Sequence, residues 1–292
     1  MKICITGGAG FIGSNIYKAL IAKGHEIRVI DNLSTGKLDN LPQGATVIVK
    51  DITRITTKDL KGIDTVFHCA ALARVQISIE QPLKYNDTNV TGTLKLLEAA
   101  RQAGVKKVIY SASSSVYGDS EELPTKESCI PNPISPYALQ KYIGELYCKQ
   151  YSLLYNLETI CLRYFNVYGE GMSINDSYTT VMGIFKHLKD HDKPLTITND
   201  GCQRRDFTYV KDVVNANILA MESNKQFKGQ SINIGSGSNY SVNEIAETFG
   251  GPVEFVGNVI EPKNTLADNS LAKSQLGWET TKDVIEWIKE NK

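Results

Sequence analysis

Apolar and β-branched residues recur in short runs through the first two-thirds of the chain: KICIT (2–6), EIRVI (26–30), TVIVK (46–50), TVFHC (65–69), KVIYS (107–111) and ETICLR (158–163). Runs of this length and make-up predict buried strands. Between them, residues 14–22, 88–103 and 137–155 carry helical spacing of apolar positions. Strands separated by helices imply right-handed βαβ crossovers, and so a parallel, doubly wound α/β sheet. Past about residue 168 the texture changes to loops rich in Gly, Asn and Ser with shorter runs, PLTIT, QSINIG and PVEFVG. The expected division is a doubly wound domain over 1–168 and a smaller, irregular α/β lobe over 169–292, with some later segments returning to the sheet. The terminal TKDVIEWIKENK is amphipathic and predicts a packing helix.

The first strand runs into TGGAGFIGSN (6–15), where Gly8, Gly10 and Gly13 satisfy GxGxxG and Gly7 adds a fourth flexible position. Glycines suit a tight turn in which the backbone approaches a pyrophosphate and the next helix points its N-terminal dipole at the phosphates. The motif alone is weak. Its context is a preceding strand, a following helix and a second strand that ends in Asp31, eighteen residues after Gly13. A carboxylate there accepts hydrogen bonds from ribose hydroxyls and repels a 2′-phosphate, so NAD is expected over NADP in a Rossmann-type site. Lys37, close downstream, is read as a solvated loop lysine. Asp51 is equally well a partner for the adenine amino group or a helix N-cap.

Strand five leads into SASSSVYG (111–118), at the sheet edge where reactive groups collect in this architecture. Farther on, SPYALQK (135–141) sets Tyr137 and Lys141 one helical turn apart, with Pro136 suited to the first turn. A tyrosine with an unperturbed pKa near ~10 needs a nearby cation to act as a base at neutral pH. Lys141 supplies one, and Ser113 offers a hydroxyl to position substrate. His187 and His191 are four apart beside Asp190 and Asp192 but lack a framed third ligand, so they are read as a solvated helix end and no metal is expected. His25 and His68 have no recognisable Ser or Cys partner.

Composition narrows the choice of ligand. The 292 residues are 41% apolar, enough for a large core, and 32 Lys and Arg balance 32 Asp and Glu. No overall field favours nucleic acid or an anionic membrane, so a small molecule is expected. The six cysteines show no CxxC spacing and read as reduced core thiols. With no leader-like start and no long apolar stretch, a soluble cytosolic protein is expected.

In these blocks, and in DNLSTG (31–36), FHCAALARV (67–75), TNVTGTLKLLEA (88–99), LRYFNVYG (162–169), RRDFTYVKD (204–212) and LADNSLAKSQLGW (266–278), the chain resembles the UDP-hexose 4-epimerases, extended short-chain dehydrogenase/reductases. The resemblance implies Tyr137 as base, Lys141 as its electrostatic partner and ribose ligand, and Ser113 as the hydroxyl near sugar O4. It implies an NAD site built from Gly7, Gly10, Phe11, Ile12, Gly13, Asp31, Asn32, Ser34, Thr35, Gly36, Asp51, Ile52, Cys69, Ala70, Ala71, Asn89, Ser111, Tyr137, Lys141 and Tyr164. For the UDP-sugar it implies Ser113, Ser114, Asn166, the PLTIT backbone around Thr196 and Thr198, Arg205 for the diphosphate, and Thr265. The implied reaction is redox-neutral epimerisation through a 4-keto sugar, in a homodimer joined by the helices near 90–103 and 137–155.

Departures from the family pattern refine the expectation. Ser114 and Ser115 stand where related dehydratases carry an acidic pair, which argues against water elimination. Asn258 stands in place of a second diphosphate arginine in GNVIEPKNTLAD, with Glu261 as that segment's acid and Lys263 or Arg204 as possible helpers. Ala73 replaces a lysine common in glucose-type enzymes. Thr265 occupies a gate position that is bulky in enzymes restricted to glucose and galactose, so UDP-GlcNAc and UDP-GalNAc are expected to fit beside UDP-Glc and UDP-Gal. The rival readings are a UDP-glucuronate 4-epimerase or decarboxylase, which would want a cationic or hydroxyl-rich pocket, and a catalytically silent NAD-binding sensor.

Overall fold

The computed structural model describes residues 1–174, 180–257, 259 and 261–292, so Asn258 lies outside the described residues. The first half contains β1 (Lys2–Thr6), α1 (Phe11–Ala22), β2 (Glu26–Asp31), β3 (Thr46–Val49), β4 (Thr65–His68), α2 (Val75–Glu80), α3 (Pro82–Asn86), α4 (Gly92–Ala103), β5 (Lys107–Ser113), α5 (Pro136–Tyr155) and β6 (Glu158–Tyr164). The second half adds β7 (Val167–Tyr168), α6 (Val181–Asp190), β8 (Leu195–Ile197), β9 (Arg204–Asp206), β10 (Thr208–Tyr209), α7 (Val210–Glu222) and β11 (Gln230–Ile234). It closes with β12 (Asn239–Ser241), α8 (Val242–Phe249), β13 (Val253–Phe255), α9 (Ser270–Leu276) and α10 (Val284–Asn291).

Seven strands pair in the order β11-β6-β5-β4-β1-β2-β3, every neighbour parallel. The order reverses between β1 and β4, which opens a crevice at their carboxyl ends. β11, the QSINIG run expected in the second lobe, pairs with β6 and forms an edge of the main sheet. Two strands, β5 and β6, run past their expected ends to Ser113 and Tyr164, and β2 ends at Asp31 as expected, so each delivers its last side chain to the carboxyl edge. Helix α1 begins at Phe11, three residues earlier than the apolar spacing suggests, and α4 begins at Gly92 after a wider turn over Asp87–Thr91.

Both faces of the sheet are covered, which explains why its strands read as continuous apolar runs. Ile3, Ile5, Leu20, Ile109, Val213 and Trp278 pack on one side, and Cys4, Leu96, Leu97, Val108 and Tyr151 on the other. A third core of Tyr168, Phe185, Phe249 and Trp287 holds the second half together, with α10 packed against α8. Two buried carboxylates tie that half down. Asp206 accepts from the Ser236, Gly237 and Ala267 amides, and Asp212 accepts from the Thr281 amide and the Thr280 and Thr281 hydroxyls.

All six cysteines are free, but only Cys4, Cys148 and Cys161 are buried. Cys202 is exposed in a polar loop, a departure from the core-thiol expectation. Among the described residues no helix is long and apolar enough to cross a membrane.

Candidate active site

The turn from β1 to α1 opens the site. Gly7 adopts φ +68°, and a Cβ there would lie 2.6 Å from the Ala70 amide nitrogen. A Cβ on Gly13 would lie 2.3 Å from the Gly7 carbonyl oxygen. Only glycine allows this backbone to fold so closely against β4 and α1. Asp31 fixes the turn from the other side: its Oδ2 accepts from the Ala9 amide at 3.0 Å and its Oδ1 from the Leu33 amide at 2.8 Å. This cradle at a helix N-terminus, with a carboxylate at the end of β2, fits a dinucleotide.

From that turn a cavity of about 720 Å³ extends into the second half, a volume suited to small-molecule ligands. Its wall includes Gly7, Gly10, Phe11, Ile12, Gly13, Asp31, Asn32, Ser34, Thr35, Ile52, Cys69, Ala70, Ala71, Ser111, Tyr137, Lys141 and Tyr164. It continues through Ser113, Ser114, Ser115, Asn166, Thr196, Thr198, Arg205 and Thr265. Three expected residues lie off this wall. Gly36 packs against Ala9 behind the glycine turn. Asp51 caps a short helical turn through the Thr53 amide and accepts from Asn32 Nδ2 at 2.8 Å, beside a smaller neighbouring pocket. Asn89 is buried and bonds both the amide and carbonyl of Leu72 and the Gln140 side chain, so it shapes the loop after β4 from behind.

Ser113, Tyr137 and Lys141 share this cavity wall. Ser135 caps α5 by accepting from the Ala138 amide at 3.2 Å, and Pro136 follows at the first helical position. The Tyr137 amide donates to Ser78 Oγ of α2 at 3.1 Å, which fixes where the tyrosine leaves the helix. Burial raises the Tyr137 phenol above its usual range, and a hydrogen bond with Ser113 opposes that shift. Ser113 Oγ also accepts from the Ser115 amide and hydroxyl, at 3.2 and 2.9 Å. Lys141 Nζ donates to the Ser111 carbonyl at 2.8 Å and lies 5.0 Å from the centre of the Tyr110 ring. Burial lowers Lys141 from 10.5 to about 8, with weak opposition from Cys69 and Glu145. Tyr164 OH meets Ser111 Oγ at 3.3 Å and the Asn217 amide at 2.9 Å.

At the far end, Arg205 Nη2 pairs with Glu261 Oε2 at 2.5 Å and Nη1 donates to the Arg204 carbonyl at 2.9 Å. Glu261 also accepts from Asn199 at 2.9 Å and from Gln203 at 3.3 Å. Gln203, which the sequence reading missed, lines the cavity and donates to the Thr198 carbonyl at 3.0 Å. Its signal was available: Gln203 and Arg205 are two apart in an extended segment and so face the same way. His68 does not line the cavity. It is held neutral between Thr6 and Thr93, and burial pushes it down to about 3. The His187 and His191 rings lie tilted with centres 4.3 Å apart at the end of α6, and among the described residues no cluster of three potential metal ligands occurs.

Residues 3–235 match the family model described as the NAD dependent epimerase/dehydratase family. A UDP-N-acetylglucosamine 4-epimerase from Methanobrevibacter ruminantium M1, solved with UDP-N-acetylmuramic acid, superposes with a TM-score of 0.93 at 38% identity, covering 99% of this chain and 96% of that one. A Thermotoga maritima UDP-glucose 4-epimerase with UDP-glucose gives 0.93 at 36% identity, covering 100% and 97%. A Bacillus cereus UDP-glucuronic acid 4-epimerase with its sugar nucleotide and NAD gives 0.92 at 32% identity, covering 100% and 98%.

Proposed function

The chain belongs to the NAD dependent epimerase/dehydratase family, and we propose that it interconverts the C4 epimers of a UDP-hexose with NAD as its resident cofactor. The observation that carries this is the meeting of Ser113, Tyr137 and Lys141 with the glycine turn in one cavity, together with serines at 114 and 115. Water elimination needs an acid and a base at that edge of the sheet, and hydroxyls cannot replace carboxylates. The Rossmann-type half up to residue 168 holds the dinucleotide, and the lobe from 169 onward supplies most of the UDP-sugar contacts.

NAD, when bound, supplies the acceptor and later the donor of the C4 hydride. The glycine turn would hold its pyrophosphate, Asp31 its adenosine ribose, and Lys141 and Tyr164 its nicotinamide end. Tyr137 takes the proton from O4 and gives it back after the 4-keto sugar has turned. Lys141, one helical turn along α5 and on the same cavity wall, is the cation assigned this task, since burial alone disfavours the phenolate. Ser113 hydrogen-bonds the tyrosine and is placed to steer O4 toward it. Arg205 holds the diphosphate, and the Thr196–198 backbone the uracil.

UDP-Glc, UDP-Gal, UDP-GlcNAc and UDP-GalNAc are the substrates this reading names, the acetamido sugars because Thr265 is small. UDP-glucuronate is the second reading, favoured by Arg74 and the three serines on the cavity wall. The protein works as a cytoplasmic homodimer. Incubation with UDP-Glc, UDP-GlcNAc and UDP-GlcA without added reductant, with products resolved by NMR, separates the sugars. Tyr137→Phe should lower kcat by about 10²–10⁴-fold; unchanged turnover would overturn the assignment of the base.

A further inference from the structure

The gate residue does more than leave room. Thr265 is latched by its backbone: its amide donates to the Arg204 carbonyl at 3.1 Å and its carbonyl accepts from Asn239 Nδ2 at 3.2 Å. Its hydroxyl oxygen lies 3.2 Å from the Asp206 amide nitrogen and 3.5 Å from Asn166 Nδ2, and it can accept from both. Asn166 Nδ2 also donates to the Asp206 carbonyl at 2.8 Å. Asp206 is itself immobilised by the amide donors on its buried carboxylate.

Asn166 needs such support. Its φ of +27° is an uncommon conformation, which asparagine tolerates better than most residues. A carboxamide can rotate by half a turn and exchange its acceptor for its donor, and only its hydrogen-bond partners decide which faces the ligand. Here both Nδ2 hydrogens are directed at protein oxygens, Asp206 O and Thr265 Oγ1, which leaves Oδ1 as the acceptor for the cavity.

We propose that Thr265 is a positioning residue whose hydroxyl, not only its size, sets sugar-nucleotide recognition by holding Asn166 with its carbonyl oxygen offered to a hydroxyl or N–H of the bound UDP-hexose. This rests on the UDP-hexose reading above. Thr265→Val keeps the volume and removes the acceptor, so it separates size from hydrogen bonding. The Asp206 amide and one Asn166 hydrogen then lose their partner, a loss that corresponds to weakening of about tenfold.

The test measures UDP-GlcNAc and UDP-Glc dissociation constants by calorimetry, with KM, kcat, melting temperature and NAD content for each variant. Thr265→Val is expected to raise Kd and KM about tenfold while kcat moves less than about threefold, with NAD content as in the parent and a lowered melting temperature, because the buried Asp206 amide loses its acceptor. Thr265→Ser, which keeps the hydroxyl, is expected to restore parental binding. Adding Thr265→Val to Asn166→Ala should cost nothing further, because the two act as one unit. Parental affinity in Thr265→Val, failure of Thr265→Ser to rescue, or additive losses in the double variant would each overturn the proposal. A parent that binds UDP-sugars but epimerises none refutes the epimerase reading instead, and the binding ratios still decide the role of Thr265.

Discussion

Lys141 shows what the site demands of a single residue. A lysine pushed by burial from 10.5 to about 8 binds its proton less well folded than unfolded. Between those values the unfolded chain holds more protons, so this group's contribution to stability rises with pH across that window. Below about pH 8 the full desolvation cost stands, because the charged form is kept buried. The shift corresponds to ~3 kcal/mol, taken as an order of magnitude. Lys141→Met removes the dependence: between pH 7 and pH 10 the parent should gain stability relative to the variant in denaturant titrations, and parallel curves would refute the buried ionised lysine. If Lys141 supports the Tyr137 phenolate as proposed, loss of activity should accompany the flattened profile. Tyr137, Lys141 and Ser113 could be brought to one cavity from spacing and strand ends, whereas Arg205 came from the family resemblance alone. Asn89, expected at the NAD site, is bonded instead to Leu72 and Gln140 off the main cavity wall, since a sequence carries no sign of which way a buried amide faces. Gln203 escaped because it stands one residue before β9, outside any apolar run.

At the scale of elements, the strands were readable because both faces of a parallel sheet are buried. The run QSINIG was also found, but its place was not. Three polar residues in a five-residue strand look like lobe texture, and two of them, Ser231 and Asn233, find side-chain partners elsewhere in the fold. Ser231 Oγ donates to Glu145 Oε2 at 2.9 Å, and Asn233 Oδ1 accepts from Tyr117 OH at 2.7 Å. Glu145 is in turn bridged by Arg163 through Nε at 2.9 Å and Nη2 at 2.6 Å, and Arg163 Nη1 donates to Tyr117 OH at 2.6 Å. This buried network joins α5, β6, β11 and the turn after β5, one helical turn beyond Lys141. Removing one partner strands the other charge in the interior. Glu145→Ala should therefore cost about 3–5 kcal/mol in denaturant unfolding, whereas the paired change Glu145→Leu with Arg163→Met should recover much of it. A cost below about 1 kcal/mol for the single variant would mean that Arg163 finds water or another acceptor.

For the whole molecule, the long helix α5 poses the remaining question, because it carries the reactive pair on one face and an uncovered apolar stripe on another. Leu139, Leu146 and Leu153 recur every seven residues and remain 48%, 45% and 58% exposed, with Leu154 and Tyr155 beyond them. Residues seven apart share a helix face, and an apolar stripe in water is a surface that favours a partner. A second copy of the chain offers the same stripe, and a two-fold axis across α4 and α5 would bury both at once. α4 and α5 already pack against each other within one chain, so four helices would meet around that axis. The interface would then stiffen the helix that sets Tyr137 and Lys141. Light scattering should give twice the chain mass for the parent and the single-chain mass for Leu146→Glu. Because Leu146 points away from the cavity wall, the monomer should keep its NAD while its melting temperature and turnover fall. A parent that stays monomeric at micromolar concentration, or a Leu146→Glu variant that stays dimeric, would show that the stripe is not the dimer contact.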